Sequence, residues 1–465
     1  MGQHIGVAIS GGGHRATLWG LGTLLYLVDS GKHQEVAAVS SVSGGSITNG
    51  VVAQQVDLPR TDPEEFDAGV APLVRHVAKT GLFFWGPATN AYVISLLAGL
   101  SVGVAVFVSG VVLLFLDGLS WPAGIALLVA LAVLAVVARW FERRSDVVDR
   151  ALASTHFSTD GRPTRMADLQ RSVDHVICAT ELQSGQHLYL TPRFLYSYAL
   201  GTGEPAAMNL STAVQASACL PGAFSPRRLP TAPHRFSGGV RTASEVLLTD
   251  GGVYDNMADQ WLIGLAGRLQ RAPQLPVVAR EVDEVVVVNA SSPVAWSPMK
   301  RARLVLAGEL ATLLRVNSVM YQVTTARRRY ALIREWEDAV RDQRGQRGAL
   351  VHIAQSPYDV ADRYSGSDAP VDRKERARAV VALLGDDEVA RTRWRERADA
   401  SRSVATVLRR LGRETTLDLL EHSYVLTMCN LHVLLGHPLM QLPNRERFAR
   451  LLGPSIRKAT TPTPN

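Results

Sequence analysis

Only three cysteines occur in 465 residues, Cys178, Cys219 and Cys429. They share no zinc-type spacing and are odd in number, so a disulfide-built scaffold is excluded and reduced, mostly buried thiols are expected. The first ten residues lack a basic stretch followed by a long apolar region and a cleavage site, so Met1 to Ser10 reads as a first strand rather than a secretion signal. Gly2 fails as a myristoylation site because Gly6 stands where Ser or Thr is needed. No internal repeat is present. Charge is not lopsided either: 49 basic and 42 acidic residues leave a net +7, spread in short runs of both signs such as Arg327-Arg328-Arg329 and Glu335-Trp336-Glu337-Asp338. Such a surface fits a solvated exterior or attraction to an anionic lipid face.

What the chain has in abundance is apolar sequence. Hydrophobic residues make up 47%, enough for a large core, and the mean hydropathy of +0.06 hints at a membrane. Ala91 to Leu116 and Trp121 to Ala138 carry no charge, and only Asp117-Gly118-Leu119-Ser120 separates them. Each run can cross, or nearly cross, a hydrocarbon core of about 30 Å. Aliphatic residues lie on every side of both segments, which argues against a buried hairpin; two transmembrane helices are the expectation, with a re-entrant or monotopic hairpin as the alternative. Arg75, His76 and Lys79 precede the first run and Arg139, Arg143 and Arg144 follow the second, so both flanks are expected on the cytoplasmic side.

Around this hairpin the pattern is that of strands and helices in alternation. A first strand ends in Ser10-Gly11-Gly12-Gly13-His14-Arg15-Ala16, followed by leucines at helical spacing. Consecutive glycines free backbone N–H groups to meet an anion at a helix N-terminus, and Arg15 adds charge. The loop matches neither the G-x-G-x-x-G fingerprint nor the Walker lysine pattern, so an oxyanion hole is a better reading than a nucleotide site. A second strand, Glu35 to Ser41, runs into Val42-Ser43-Gly44-Gly45 and a helix to about Gln54. A serine at a tight strand-to-helix turn is presented as a nucleophile, although such a serine alone is equally a plain turn. Two strand–loop–helix units in succession predict an α/β layered fold with largely parallel strands and its catalytic groups at their carboxyl ends.

Further strands are expected at Val173 to Thr180, His187 to Leu190, Glu245 to Thr249, Glu284 to Ala290 and Leu350 to Ile353, with helices at Leu210 to Cys219 and Met299 to Tyr330. Asp250-Gly251-Gly252 closes one of these strands, which places a carboxylate at a carboxyl end; taken alone it is an ordinary Asp-Gly turn. Asp255 and Asn256 read as turn or capping groups. Ser145 to Asp160 reads as an amphipathic connector, Ser356 to Ser401 as mixed-sign helical surface, and Asp418 to Leu435 as a helix apolar enough to pack on the core. The tail Thr460 to Asn465 is expected to be disordered.

Taken in order, these motifs resemble the patatin-like phospholipases: Gly11-Gly12-Gly13-His14-Arg15, Ser41-Val42-Ser43-Gly44-Gly45 and Asp250-Gly251-Gly252, with Ala213 to Pro226 similar to the family's helix-to-proline segment. The match covers about residues 4–54 and 174–291. It departs at Ser41 and Ala16, where the family often has Gly; both residues are small. The resemblance implies a three-layer α/β fold with a mainly parallel central sheet, here interrupted by the hairpin. Residues 1–85 and 145–355 would form the catalytic domain, 86–144 the hairpin, and 356–465 a mostly helical C-terminal region. It implies Ser43 as acylated nucleophile, Asp250 as its base, Gly11, Gly12 and Gly13 as oxyanion hole and Arg15 as its support. No histidine is needed, so His14 and His175 are structural. The substrate would be membrane lipid, with no cofactor, no metal and no nucleic-acid partner. Transfer of the acyl chain to another lipid, and an inactive membrane scaffold, are the competing readings.

Overall fold

The computed structural model describes residues 4–82, 87–116, 119–292, 305–366 and 369–453. The Asp117-Gly118 pair between the apolar runs, the first residues of the helix expected from Met299, and the tail from Thr460 lie outside the described residues.

Runs such as Ile5–Ile9 and Glu284–Asn289, rich in Val and Ile, become central strands, and among the described residues eleven strands in all share one sheet. They are β1 (Ile5–Ile9), β2 (Val36–Ser41), β3 (Asp174–Glu181), β4 (Gln186–Leu190), β5 (Leu195–Ser197), β6 (Gly201–Gly203), β7 (Arg227–Pro230), β8 (Ser237–Gly238), β9 (Glu245–Asp250), β10 (Glu284–Asn289) and β11 (Arg347–His352). The central block runs β3-β2-β1-β10-β11 with every pair parallel. Beyond β3 the sheet turns antiparallel through β4, β5, β6 and β8, while β9 pairs with β3 and β7.

The pleat of the central strands sorts their side chains into two cores. Val7, Ile9, Val286 and Val288 join the larger cluster with the helices α1 (Gly13–Asp29) and α2 (Gly44–Gln55). Ala8, Val285 and Val287 face the other way, onto Trp261, Leu262, Leu332 and Trp336. The sheet is therefore the middle of three layers, buried on both faces as a parallel block requires.

Helix α3 (Pro63–Lys79) starts where Asp62 accepts the Glu65 N–H at 2.8 Å with Pro63 in the first turn. The two apolar runs are helices α4 (Pro87–Leu114) and α5 (Ser120–Glu142), both long and apolar enough to cross a membrane. Their seam is made of small residues: Gly99 and Gly103 of α4 lie under Val137 and Leu134, while Ala123 and Ala130 of α5 are fully buried. Their outer faces are apolar and bare, with Ile94 at 65% and Val136 at 68% exposure. Helix α6 (Arg144–Thr155) then buries Val147, Val148, Ala151 and Leu152, as the amphipathic reading of this stretch required.

Three further helices bear on the site: α7 (Leu210–Ser217), α8 (Val305–Arg341) and α9 (Arg413–Leu435). Helix α8 runs well past Tyr330, the expected end, because Leu332 and Trp336 carry it on into the second core. Helix α9 lies against α1, where Thr23 and Thr427 hydroxyls meet at 2.9 Å, so the C-terminal third contributes to the main core.

Candidate active site

Strand β2 ends at Ser41, and the chain leaves the sheet through Ser43, which adopts φ 52° and ψ −123°. That conformation is costly for any residue with a Cβ. It persists because the turn is held from several sides. The Ser43 N–H donates to the Ser217 carbonyl at 3.2 Å and to the Ser217 hydroxyl at 3.0 Å, and Ser217 in turn donates to the Cys178 carbonyl at 2.7 Å. Glycine is required next, since a Cβ at position 44 would overlap the Gly13 carbonyl oxygen. The half-buried Ser43 side chain is left at the end of the strand, at the N-terminus of α2.

Asp250 reaches the same place from the opposite direction. On one edge of β3, β2 pairs in parallel up to Ser41 opposite Ile177, and β9 pairs antiparallel down to Asp250 opposite Ala179. Strands β2 and β9 thus meet end to end on a shared template. The carboxyl-end position expected for Asp250 holds, but the strand that carries it is antiparallel to its neighbour. Ser217 stitches the junction: its carbonyl also accepts the Gly251 N–H at 3.1 Å, while the Asp250 N–H donates to Cys219 at 3.0 Å. The sequence predicts a helix over Leu210 to Cys219; the bridging role of Ser217 at its end has no local signature.

The Asp250 carboxylate is 2% exposed. Burial pushes its pKa up to about 6, against the pull of the Gly252 N–H, which donates to Oδ1 at 2.8 Å, and of a hydrogen bond from the Ser43 hydroxyl. No histidine stands in this pair. His14 and His175 are both fully buried and held neutral, each with its pKa lowered to about 4 by loss of solvent. His14 Nδ1 meets the Arg409 carbonyl at 2.9 Å, and His175 Nδ1 meets Asn49 at 2.8 Å.

The glycine loop comes up beside Ser43. Gly12 at φ 143° and Gly13 at φ 59° take conformations that side chains resist. Gly11 donates its N–H to the Asn256 carbonyl at 3.1 Å, and the His14 N–H goes to Val407 at 2.9 Å. Among the described residues no acceptor takes the N–H groups of Gly12 and Gly13. Arg15 is almost fully buried, donating to the Val404 carbonyl and, at 3.1 Å, to the Thr406 hydroxyl. Its charge is thus spent on a C-terminal segment that closes over the loop.

Gly11, Gly12, Gly13, Arg15, Ser43 and Asp250 all line one cavity of about 600 Å³. Its remaining walls were not legible as site residues. Leu220, Pro221 and Phe224 follow α7, Tyr321 and Thr325 come from α8, and Val407 and Leu408 come from the C-terminal third. The buried Tyr321 hydroxyl has no hydrogen-bond partner among the described residues, and both burial and the nearby Asp250 charge raise its pKa. His352, at the end of β11, also lines the cavity. Its Nδ1 accepts the Ala354 N–H at 3.2 Å, and burial, with Arg329 and Arg15 near, lowers its pKa to about 3. Position at a strand's carboxyl end is the signal that marks it in the sequence. Asp255 caps as expected, receiving the N–H groups of Met257 and Gln260 at 3.0 Å each. Asp259 behind it holds Arg328 of α8 through two 2.8 Å contacts, which fixes the helix that walls the cavity.

No family model matches the chain, and no curated protein matches it. Two solved structures are similar in chain trace. One is Human GIVD cytosolic phospholipase A2, at a TM-score of 0.46 and 11% identity over 97% of this chain and 63% of that one. The other is VipD from Legionella pneumophila, at a TM-score of 0.34 and 13% identity over 94% of this chain and 67% of that one. The chain spans less than two thirds of the length of the human protein.

Proposed function

We propose that the protein is a membrane-anchored serine acyl hydrolase that cleaves ester bonds of phospholipids or related lipids through a Ser43–Asp250 dyad. The observation that carries this reading is a serine held at φ 52° against a buried carboxylate whose pKa is pushed up to about 6. At neutral pH such a carboxylate is ionised in about nine molecules of ten, yet it remains a competent acid once protonated. Ser43 Oγ attacks the ester carbonyl as its proton passes to Asp250. The tetrahedral oxyanion is received by the Gly12 and Gly13 N–H groups, with Gly11 and Arg15 shaping and bracing the loop. Collapse returns the proton from Asp250 to the departing alkoxide and leaves the acyl chain on Ser43. Water, giving its proton to Asp250, then adds to the acyl carbonyl, and as the fatty acid departs Asp250 returns that proton to Ser43 Oγ, restoring the hydroxyl and the carboxylate.

The cavity supports an acyl substrate because apolar side chains such as Leu220, Phe224 and Leu408 share it with the polar pair. Helices α4 and α5 supply the anchor. The basic residues on both outer flanks favour a cytoplasmic catalytic body with the short loop outside. Ser43→Ala and Asp250→Asn should each lower lipid ester hydrolysis roughly a thousandfold or more, and a fluorophosphonate should label wild type at Ser43. Full turnover in either variant would sink the dyad. Release of the chain from membranes by alkaline carbonate would sink the anchor.

A further inference from the structure

A second cavity is larger than the one that holds Ser43. A cleft of about 980 Å³ opens where α5 ends and α6 begins, and its other wall is the 225–228 segment. Along one face of α5 it passes from Val136 to Trp140 and then to arginines 139 and 143, with Arg144 at the start of α6. Apolar side chains therefore give way to guanidinium groups over two helical turns, where the apolar span meets the globular body.

The cationic side of this cleft is under-compensated. Arg227 is spent on Asp146 and Asp149, at 2.7 and 2.8 Å, and Arg228 pairs with Glu245 at 2.6 Å. Arg139, Arg143 and Arg144 have no acidic partner among the described residues. Arg143 lies over the Trp140 ring at 5.9 Å, and Arg144 donates to the Phe141 and Ala223 carbonyls at 2.9 and 3.0 Å. Among the described residues Glu142 is the one acid lining the cleft that forms no ion pair. Arg139 and Arg143 are exposed, with no hydrogen bond or ion pair among the described contacts. Guanidinium groups offer paired N–H donors that fit a phosphate, and at an interface they reach toward the headgroup layer.

We propose that this cleft binds the phosphate of an anionic phospholipid of the surrounding bilayer, at a site separate from the catalytic cavity. Val136 and Trp140 face the acyl end of the lipid, and Arg139 and Arg143 hold its phosphate. A hydrogen bond links the site to the active site: Arg144, next to Arg143 in the chain, donates to the carbonyl of Ala223, and Ala223 itself lines the catalytic cavity. An occupied cleft would thus brace the wall formed by Leu220 to Phe224. The proposal rests on the membrane reading of α4 and α5 but not on the chemistry assigned to Ser43.

The test uses the full chain carrying Ser43→Ala, so that no lipid is consumed, released from nanodiscs and weighed intact by native mass spectrometry. Phosphatidylglycerol should be retained as a single adduct and phosphatidylcholine should not. Removing both exposed charges with Arg139→Gln and Arg143→Gln should weaken retention about 25-fold, near fivefold per charge. Lysine at both positions should restore much of it, and Glu142→Gln should strengthen it. Arg75→Gln with Lys79→Gln removes equal charge from the other flank and should change nothing. Equal retention of both lipids, loss with the Arg75 and Lys79 pair as readily as with the cleft pair, or displacement by excess inorganic phosphate would each overturn the site. Carbonate extraction reports the anchor separately, so the two readings fail by different measurements.

Discussion

Replacing Asp250 by Asn should stabilise the protein while ending its turnover. Burial raises the Asp250 pKa from 3.8 to about 6, so the fold disfavours the ionised form that neutral solution imposes. The unfolded chain ionises this group above its ordinary pKa, whereas the folded protein keeps it neutral until about pH 6. Stability is therefore lost as pH rises between those values, and at about 1.4 kcal/mol per unit the loss amounts to roughly 3 kcal/mol at pH 7. Asparagine has nearly the same shape. Its Oδ1 can keep the Gly252 N–H, now 2.8 Å from Asp250, and its Nδ2 can donate to the Ser43 hydroxyl. For a chain of this size a gain of about 3 kcal/mol raises Tm by about 3 °C. Thermal unfolding of the full chain in detergent near pH 7.5 should show that increase, and near pH 4.5 the advantage should shrink to about 1 kcal/mol. A variant no more stable than wild type at neutral pH, or an advantage that does not depend on pH, would refute the account of Asp250 as a strained, buried charge.

Ser43→Gly should relieve the φ 52° strain, adding about 1 kcal/mol in chemical denaturation, while fluorophosphonate labelling disappears. Gly44→Ala drives a Cβ into the Gly13 carbonyl oxygen; a loss of about 1–3 kcal/mol and of ester hydrolysis should follow. Gly267→Ala, where a Cβ meets nothing within 4 Å, should instead gain about 0.5–1 kcal/mol by the same assay. The pH profile of kcat/KM should fall tenfold per unit on the acid side, with a midpoint near the Asp250 value of about 6; an acid limb centred near 4 would remove Asp250 from the role of base.

Features fixed by near neighbours in sequence were readable before the fold was known. The β-branched run Glu284–Asn289, the apolar stretches of α4 and α5, and the change from strand to glycine to helix around Gly11–Gly13 and Ser43 each carry their own periodicity. Contacts between distant segments carry none. Arg15 is separated by most of the chain from Val404 and Thr406, which absorb its guanidinium. Ser217 bridges the Ser43 and Gly251 turns through its carbonyl, a group every residue possesses, with its hydroxyl as a further acceptor for Ser43. The antiparallel arrival of β9 depends on where β7 sits, and a short apolar strand reads the same in either direction. Helix α8 was expected as a helix, but its place as a wall of the cavity depends on the Asp259–Arg328 contact.

The apolar hairpin leaves the body and returns to it at one point, for the Tyr92 hydroxyl at its start donates to the Trp140 carbonyl at its end, 2.9 Å away. No strand of the eleven-stranded sheet is drawn from the chain between α3 and α6. A detour whose ends coincide behaves as a detachable module: it can be gained, lost or exchanged without renegotiating the architecture on either side. Replacing residues 87–142 with a short flexible link should therefore give a water-soluble body with every strand in register and Ser43 still facing Asp250.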